Sequence, residues 1–408
     1  MGALTGLKVL DLSRVLAGPW CSQILADMGA DVIKIERPKT GDDTRMWGPP
    51  WMLDEQDAVT DQAGYFQCAN RNKSSVAIDM SSAEGQALLH DMVKDADVVI
   101  ENFKVGALAK YGLDYETLQN IQPKLIYCSI TGYGQTGPRA KQPGYDFVIQ
   151  GLSGLMSITG EADHLAGGGP QKVGVAVVDL QTGLYAATAI LAALWSRDRT
   201  GQGQHIDLAL FDVQLAALAN QGMNYLLTGN APKRLGNAHP NIVPYQTFDA
   251  KDKAFIIACG NDKQFKDLCH AIGRSDLLEL PDYSSNQQRV AHRDRLIAVL
   301  AQHFLTQDAE YWVSRIDQAQ VPVGMINNIA EALAEPQVQA RDMVVNIPHP
   351  QNKDFKMVAS PIKFSKTPIV YPQAPPALGQ HTFAVLQHYR DQQQLQSLLA
   401  AGVLGSNE

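Results

Sequence analysis

The chain has 408 residues, 45% of them hydrophobic and 19% charged, which suits a soluble protein too long for one typical domain. Its 42 acidic residues outnumber 34 basic ones, and the net charge of -8 argues against nucleic acid or a membrane surface as a partner. Any anionic ligand must then be held by locally placed Arg and Lys side chains. The five cysteines (Cys21, Cys68, Cys128, Cys259 and Cys269) include no Cys-x-x-Cys pair. They read as reduced thiols rather than disulfides or structural zinc. The first residues lack a signal-peptide pattern, and no apolar run reads as long enough to span a bilayer, so a cytoplasmic protein is expected.

In chain order, Lys8 to Leu12 is a β-type run. Helical spacing follows through Trp20, Ile24, Leu25 and Met28, with Pro19 at its start and Gly29 just past its end. Asp31 to Glu36 returns to strand, so the opening reads βαβ and implies parallel strands. Ser81-x-x-Glu84 reads as a capping box before the helical pattern of Ala87, Leu88 and Met92. A strand at Val98 to Ile100, a short helix from Asp114 to Gln122 and a strand at Leu125 to Ile130 continue the alternation. Val173 to Val178 reads as an apolar strand ending at Asp179, followed by a small-residue helix to about Arg197. A strand at Gln204 to Leu210 and one helix from Phe211 to Leu227 come next. The Gly-, Asn- and Pro-rich stretch from Gly229 to Pro244 marks a boundary, and a second α/β unit starts at Ala254 to Cys259. Its predicted helices lie near Asp262 to Ile272, Arg293 to Phe304 and Glu310 to Ala319. The Pro-punctuated tail is expected to pack as extended chain.

Ligands of parallel sheets bind at the carboxyl ends of the strands. Basic residues recur there, at Arg14, Arg37, Lys39, Arg71, Lys73 and Lys104, a distribution that suits the phosphates of a nucleotide-like ligand. No Gly-x-Gly-x-x-Gly follows the first strand, so nicotinamide or flavin binding has no support, and Gly167-Gly-Gly169 lacks the Lys-Ser/Thr of a phosphate loop. The Gly151-Leu-Ser153-Gly154 segment has the wrong spacing for a serine hydrolase, and the ten histidines form no metal-ligand pattern. Asp179 has two readings: a helix cap, or a partly desolvated reactive carboxylate. Asp146 likewise is a cap or a second site carboxylate.

Taken together, several segments resemble the class III CoA-transferase family, also called CaiB/BaiF or formyl-CoA transferase. They are Leu10-Asp-Leu-Ser-Arg-Val-Leu-Ala-Gly-Pro19, Leu25 to Pro38, Asn70-Arg-Asn-Lys73, Ile130 to Pro138, Pro143-Gly-Tyr-Asp146, Val178-Asp-Leu-Gln-Thr-Gly183, Thr200 to Gly203 and Leu378 to Thr382. The resemblance implies an α/β fold with a large, Rossmann-like parallel-sheet domain from both chain ends (1–225 and 325–408). It implies a smaller inserted α/β domain (226–324) and an interlocked homodimer. It implies Asp179 as the catalytic carboxylate, and coenzyme A or acyl-CoA held as substrate by Arg37, Lys73, Asn102, Phe103 and Lys104, with Asp146 nearby and no metal.

The family also contains 2-methylacyl-CoA racemases, which carry a His-Asp pair where this chain has Tyr145-Asp146 and an acid where it has Asn261. Proton exchange at carbon needs a base on each face, so that reading falls behind. Asp42 to Pro50 and Gly236 to Gln246 look most like the succinyl-CoA:glutarate branch. The expected reaction transfers CoA from an acyl-CoA such as succinyl-CoA to a dicarboxylate such as glutarate, through aspartyl anhydride and aspartyl-CoA thioester intermediates. Arg14 and Arg45 are the candidates for the far carboxylate. His239 and Tyr245 are the neutral donors, and Gly167 to Gly169 is a candidate source of oxyanion N–H groups. A CoA-binding protein without activity is the non-enzymatic alternative.

Overall fold

A computed structural model describes residues 1–407. The chain divides into two units, one of Met1–Leu155, Val173–Leu227 and Gln339–Glu408, the other of Met156–Lys172 and Thr228–Val338. Segments 156–172 and 325–338 thus fall in the second unit, outside the bounds 226–324 expected for the smaller domain. The strands are β1 (Lys8–Asp11), β2 (Asp31–Glu36), β3 (Trp51–Leu53), β4 (Val59–Ala63), β5 (Lys73–Ile78), β6 (Val98–Glu101) and β7 (Ile126–Thr131). They continue as β8 (Gln204–Ala209), β9 (Tyr245–Asp249), β10 (Ala254–Ala258), β11 (Val323–Met325), β12 (Val344–Asn346), β13 (Lys356–Val358) and β14 (Leu404–Gly405).

The first unit is built on a seven-stranded sheet in the order β14-β5-β2-β1-β6-β7-β8. All neighbours are parallel except β14, which runs antiparallel to β5. Both faces are covered, which is why the strands read as nearly continuous apolar runs. Val9, Val32, Val98 and Ile126 point to one face, where Cys21 and Leu25 of the helix Ala17–Asp27 and Ile190 of the long helix Val177–Thr200 meet them. Leu10, Ile33, Val76 and Val99 point to the other, against Leu88, Leu89 and Met92 of the helix Ala83–Lys94. Leu386, Leu395 and Leu404 from the far end of the chain join this second layer. The tail therefore ends in the helices Thr382–Leu386 and Gln392–Ala400 and an edge strand, where extended chain was expected.

Strand order reverses at β1, whose neighbours are β2, the next strand in sequence, and β6, reached much later. The loops that leave β1 and β6 diverge at such a point and open a crevice at the carboxyl ends of the strands.

Three local expectations change. Val173 to Val178 forms no strand; the chain enters the long helix at Val177, so Asp179 is its third residue. The cap of the helix Ala83–Lys94 is Ser82, whose hydroxyl accepts from the Gly85 N–H, rather than Ser81. The single helix expected after β8 is two, Leu210–Ala216 and Ala219–Thr228, broken where Ala219 takes a left-handed φ of 46°. A fourth concerns membranes: Val177–Thr200 is, by length and composition, apolar enough to cross a bilayer. Part of that apolar character serves packing, because Val178, Ala186, Ile190 and Ala193 are buried in the core of the unit. The helix ends at Gly201, whose left-handed φ of 75° lets its N–H return to the Arg197 carbonyl.

In the second unit, β11, β10 and β9 form an antiparallel sheet. The helices Asp262–Ala271, Arg293–Phe304 and Ala309–Gln318 cover it around Phe255, Phe265, Phe304 and Trp312. The fully buried Arg289 donates to the Val243 and Tyr283 carbonyls and to Asp262. That satisfies a charge that would otherwise be costly to bury.

Candidate active site

The long helix has no capping side chain of its own: its N-cap is Ala176. The cap comes from another helix. Asp146 opens the helix Asp146–Leu152, and its Oδ2 accepts the N–H groups of Val178 at 2.8 Å and Asp179 at 3.3 Å. Its Oδ1 accepts from Gln150 Nε2 at 2.6 Å, and Gln150 Oε1 accepts the Val173 N–H at 2.9 Å. These bonds wind the chain into a helical turn where the apolar run alone suggests a strand. Asp146 therefore positions Asp179, in addition to lining any site around it.

Asp179 is half-buried, and its carboxyl is pushed up to about 7, first by desolvation and then by the neighbouring Asp146 charge. A helix N-terminus favours anions, yet here two carboxylates share one. The Tyr65 phenol, in the short helix Gly64–Gln67, feels the same pair of charges: burial and then Asp179 raise it to about 12. Its ring meets Trp47 edge-on at 5.1 Å. No spacing in the sequence points to Tyr65. Gln150, by contrast, stands four residues after Asp146, a helical spacing that could have signalled it.

Gly183 lets the long helix sit close to the helix Ala17–Asp27. A Cβ there would lie 2.8 Å from the Ala17 carbonyl oxygen and 3.0 Å from the Trp20 ring. Asp179 consequently faces the loop that follows β1, and both line a cleft with Arg14, Val15, Leu16, Asn102, Phe103, Lys104 and Tyr145. Val15 in that loop holds a left-handed φ of 71°, uncommon for a β-branched residue, and its N–H is bound by Asp42. Asn102 accepts from the Arg14 N–H at 2.9 Å and donates to the Arg14 carbonyl at 2.6 Å, which ties the β1 and β6 loops together.

A second hollow of about 310 Å³ shares Arg14 and Phe103 with the cleft and continues past Arg37 to Met80 and Tyr111. Arg14 and Arg37 both pair with Asp43, at 2.8 and 2.6 Å, in partly exposed contacts. Such pairs contribute little, so a phosphate can compete for both guanidinium groups. The Arg14 guanidinium also lies 5.2 Å from the Phe103 ring centre. Lys104 is exposed at the cleft.

Two of the expected ligand-binding cations are committed elsewhere. Lys73 is fully buried and donates to Asp11, the Pro19 carbonyl and Asn70, at 3.3, 2.9 and 2.8 Å. Burial draws its ammonium down to about 8 despite Asp11. Arg45 is bidentate to Glu36, at 2.8 and 2.7 Å, donates to the Pro376 carbonyl and lies 3.7 Å over the Phe66 ring. Neither side chain lines the cleft or the hollow, and each neutralises a buried carboxylate. Lys34, which shares the hollow, is likewise held by Asp42 at 2.9 Å and the Ser13 carbonyl.

His239 and Tyr245 lie in the second unit, their rings 5.2 Å apart, with the His239 N–H donating to the Tyr245 carbonyl. In the same unit the Gly168 and Gly169 N–H groups bond within their own loop, to Leu165 and Glu161, so they are not the free oxyanion donors expected. Asn261 caps the helix Asp262–Ala271 by accepting from the Gln264 N–H, a structural task for the position where a racemase needs an acid.

The family model described as CoA-transferase family III matches residues 4–382. The chain is 50% identical over 383 residues to the succinate–glutarate CoA-transferase of Agrobacterium fabrum, covering 94% of each protein. It is 40% identical over 407 residues to the human succinyl-CoA:glutarate CoA-transferase, covering 99% of this chain and 90% of that one. A crystal structure of a CaiB/BaiF family protein from Brucella suis matches with a TM-score of 0.82 and 48% identity, over 95% of this chain and 99% of that chain.

Proposed function

We propose, from the premise that this chain belongs to CoA-transferase family III and is an enzyme of that class, that it moves CoA from succinyl-CoA to a dicarboxylate of glutarate's kind. The observation that carries the reading is Asp179, a carboxylate set on a helix N-terminus and opening into a cleft at the strand-order switch point. The first unit is the CoA-binding domain. Arg37 and Arg14 exchange Asp43 for CoA phosphates, and Asn102, Phe103 and Lys104 wall the cleft.

The reaction begins when the Asp179 carboxylate attacks the donor thioester carbonyl, expelling CoA thiolate and leaving an aspartyl-acyl anhydride. The thiolate then attacks the aspartyl carbonyl, which releases succinate and forms an aspartyl-CoA thioester. The acceptor carboxylate attacks this thioester to give a second anhydride, and returning thiolate delivers the new acyl-CoA and frees Asp179. Acyl activation is conserved at every step as long as water is kept out. The nucleophile is the ionised form, so turnover rises as pH passes upward through about 7, the value at which Asp179 titrates.

The test is acyl exchange: succinyl-CoA with glutarate, adipate, oxalate and acetate, with products resolved by mass. Glutaryl-CoA formation supports the reading, and turnover with no dicarboxylate in the panel sinks it. Asp179→Asn should lower turnover by about 10³-fold or more. The same variant has a stability signature. A carboxyl group with a raised folded-state pKa favours folding while protonated, and it costs stability as pH climbs from about 4 through about 7. Asp179→Asn should therefore raise the melting temperature at about pH 8 and leave it unchanged at about pH 4.

The second copy of a homodimer fits the first unit's remaining apolar surface. Tyr185 and Trp195 of the long helix are 50% and 69% exposed, and Leu226 and Leu227 are 75% and 76% exposed. A partner copy seated on these side chains would take their apolar area out of water. Sedimentation at micromolar concentration should give twice the chain mass, and a monomer would refute the dimer.

A further inference from the structure

Gln150 is fully buried and takes no part in the steps above. It stands one turn after Asp146 on the helix Asp146–Leu152, next to Ile149, which packs in the same core cluster as Val178. A glutamine amide has a donor end and an acceptor end, and its neighbours decide which is which. The Val173 N–H can only donate, so the atom 2.9 Å from it is Oε1. That leaves Nε2 toward Asp146, where it donates to Oδ1 at 2.6 Å. The reverse orientation would set N–H against N–H at one end and oxygen against oxygen at the other.

Asp146 consequently receives donors on both oxygens: Gln150 Nε2 on Oδ1, and the N–H groups of Val178 and Asp179 on Oδ2. The Gln150 bond is the shortest of the three, at 2.6 Å against 2.8 and 3.3 Å. With Oδ1 held in this way, Oδ2 is turned to the start of the long helix. Gln150 and Asp146 thus grip the chain on both sides of its entry to that helix, at Val173 and at Val178 with Asp179. Packing adds little between the two grips. A Cβ added at Gly174 would meet no neighbouring atom within 4 Å, and Val175 is 58% exposed.

We propose that Gln150 is a positioning residue for acyl transfer: its amide fixes the Asp146 carboxylate with a donor–acceptor polarity that an apolar side chain cannot supply, and through Asp146 it holds the Asp179 turn. The inference rests on the reading of Asp179 as the acyl carrier. In that reaction Asp179 acts first as a nucleophile through oxygen and then as an electrophile through its carbonyl carbon. The turn that bears it has to keep one place while the attacking atom changes. A misplacement of about 1 Å can lower a rate by about 100-fold.

Bond polarity separates this role from packing. In Asp146→Asn the amide oxygen is needed at the Val178 N–H, which puts Nδ2 against Gln150 Nε2, donor against donor. Turning the Gln150 amide over removes that clash and abandons the Val173 N–H. Adding Gln150→Glu reverses the direction of the bond. The introduced carboxylate accepts from Nδ2 and from the Val173 N–H, and each donor again has an acceptor.

The experiment measures the rate constant for covalent loading of Asp179 in a single turnover. Enzyme is mixed with excess succinyl-CoA, quenched rapidly and weighed as the intact chain, at about pH 8.5, above the value of about 7 at which Asp179 titrates. Misfolded chains lower the amplitude of loading and leave its rate constant untouched. Gln150→Met keeps the volume and drops both bonds, and should load about fivefold more slowly; Asp146→Asn should be about as slow. The double variant Asp146→Asn/Gln150→Glu should recover to within about twofold of the wild type. Affinity for free CoA, read by titration calorimetry, should stay within about twofold throughout, because Arg14 and Arg37 are untouched. Gln150→Met loading at the wild-type rate, or a double variant no faster than Asp146→Asn, overturns the proposal. If Gln150→Met does not fold, the comparison of Asp146→Asn with the double variant decides alone. A wild-type chain that gains no mass at Asp179 refutes the acyl-carrier reading itself, whereas loading at one rate in every variant rejects Gln150 alone.

Discussion

Two sets of charged side chains lie in and beside the strands of the same sheet and serve opposite ends. In the inner layer, Lys73 meets Asp11, Lys34 meets Asp42 and Arg45 meets Glu36, each nearly or fully removed from solvent. Burial opposes every one of these carboxylates. The cations nevertheless keep Asp11 and Glu36 below their ordinary values and Asp42 at about 2. In the outer layer, Arg14 and Arg37 share one partly exposed Asp43, and Asp179 has another carboxylate, Asp146, and the half-buried Tyr65 phenol beside it. Inner charges are matched pair by pair and fix the loops; outer charges are left under-matched and can exchange partners. Position at a strand end is therefore not the property that marks a functional residue. Incomplete pairing is.

The contrast can be broken by substitution. The largest effect is expected inside. Lys73→Met would leave Asp11 buried with less compensation, and urea unfolding should show a loss of about 3–5 kcal/mol. A loss below about 1 kcal/mol would mean that the inner pair is dispensable. Arg37→Ala should reverse the pattern, with stability within about 0.5 kcal/mol of the wild type and a KM for acyl-CoA about tenfold higher. An unchanged KM would remove Arg37 from the phosphate site. The smallest effect concerns Asp146→Asn. The amide oxygen can still accept the Val178 N–H, but the repulsion that helps hold Asp179 near 7 disappears. Asp179 should then ionise at lower pH, raising activity at about pH 6 relative to about pH 8 by roughly threefold. An unmoved acid limb would assign the shift to desolvation alone.

Glu101 belongs to neither set cleanly, which is why it is informative. It is as buried as Glu36, yet the Phe103 N–H faces it where an Arg faces Glu36. A carboxyl group satisfied by neutral donors keeps a proton equilibrium near neutrality, whereas one satisfied by a guanidinium does not.

Much of this was legible in the linear sequence. Short β-type runs and helical spacing located β1, β2, β6, β7 and β8 and the helices between them, because both faces of a parallel sheet demand apolar strands. The segments around Asp11, Arg37, Asp146 and Asp179 pointed to the family, and with it to Asp179. The sequence could not separate Arg37 from Arg45 or Lys73, since all three are cations near strand ends. Only the tertiary structure showed that Glu36 and Asp11 stand against two of them, and ion pairing depends on distances that residue spacing does not encode. It was likewise the tertiary structure that turned the apolar run before Asp179 into a helix start. Asp146, 33 residues earlier in the chain, supplies the acceptor for that turn's N–H groups, and a backbone takes the form in which its buried donors are bonded.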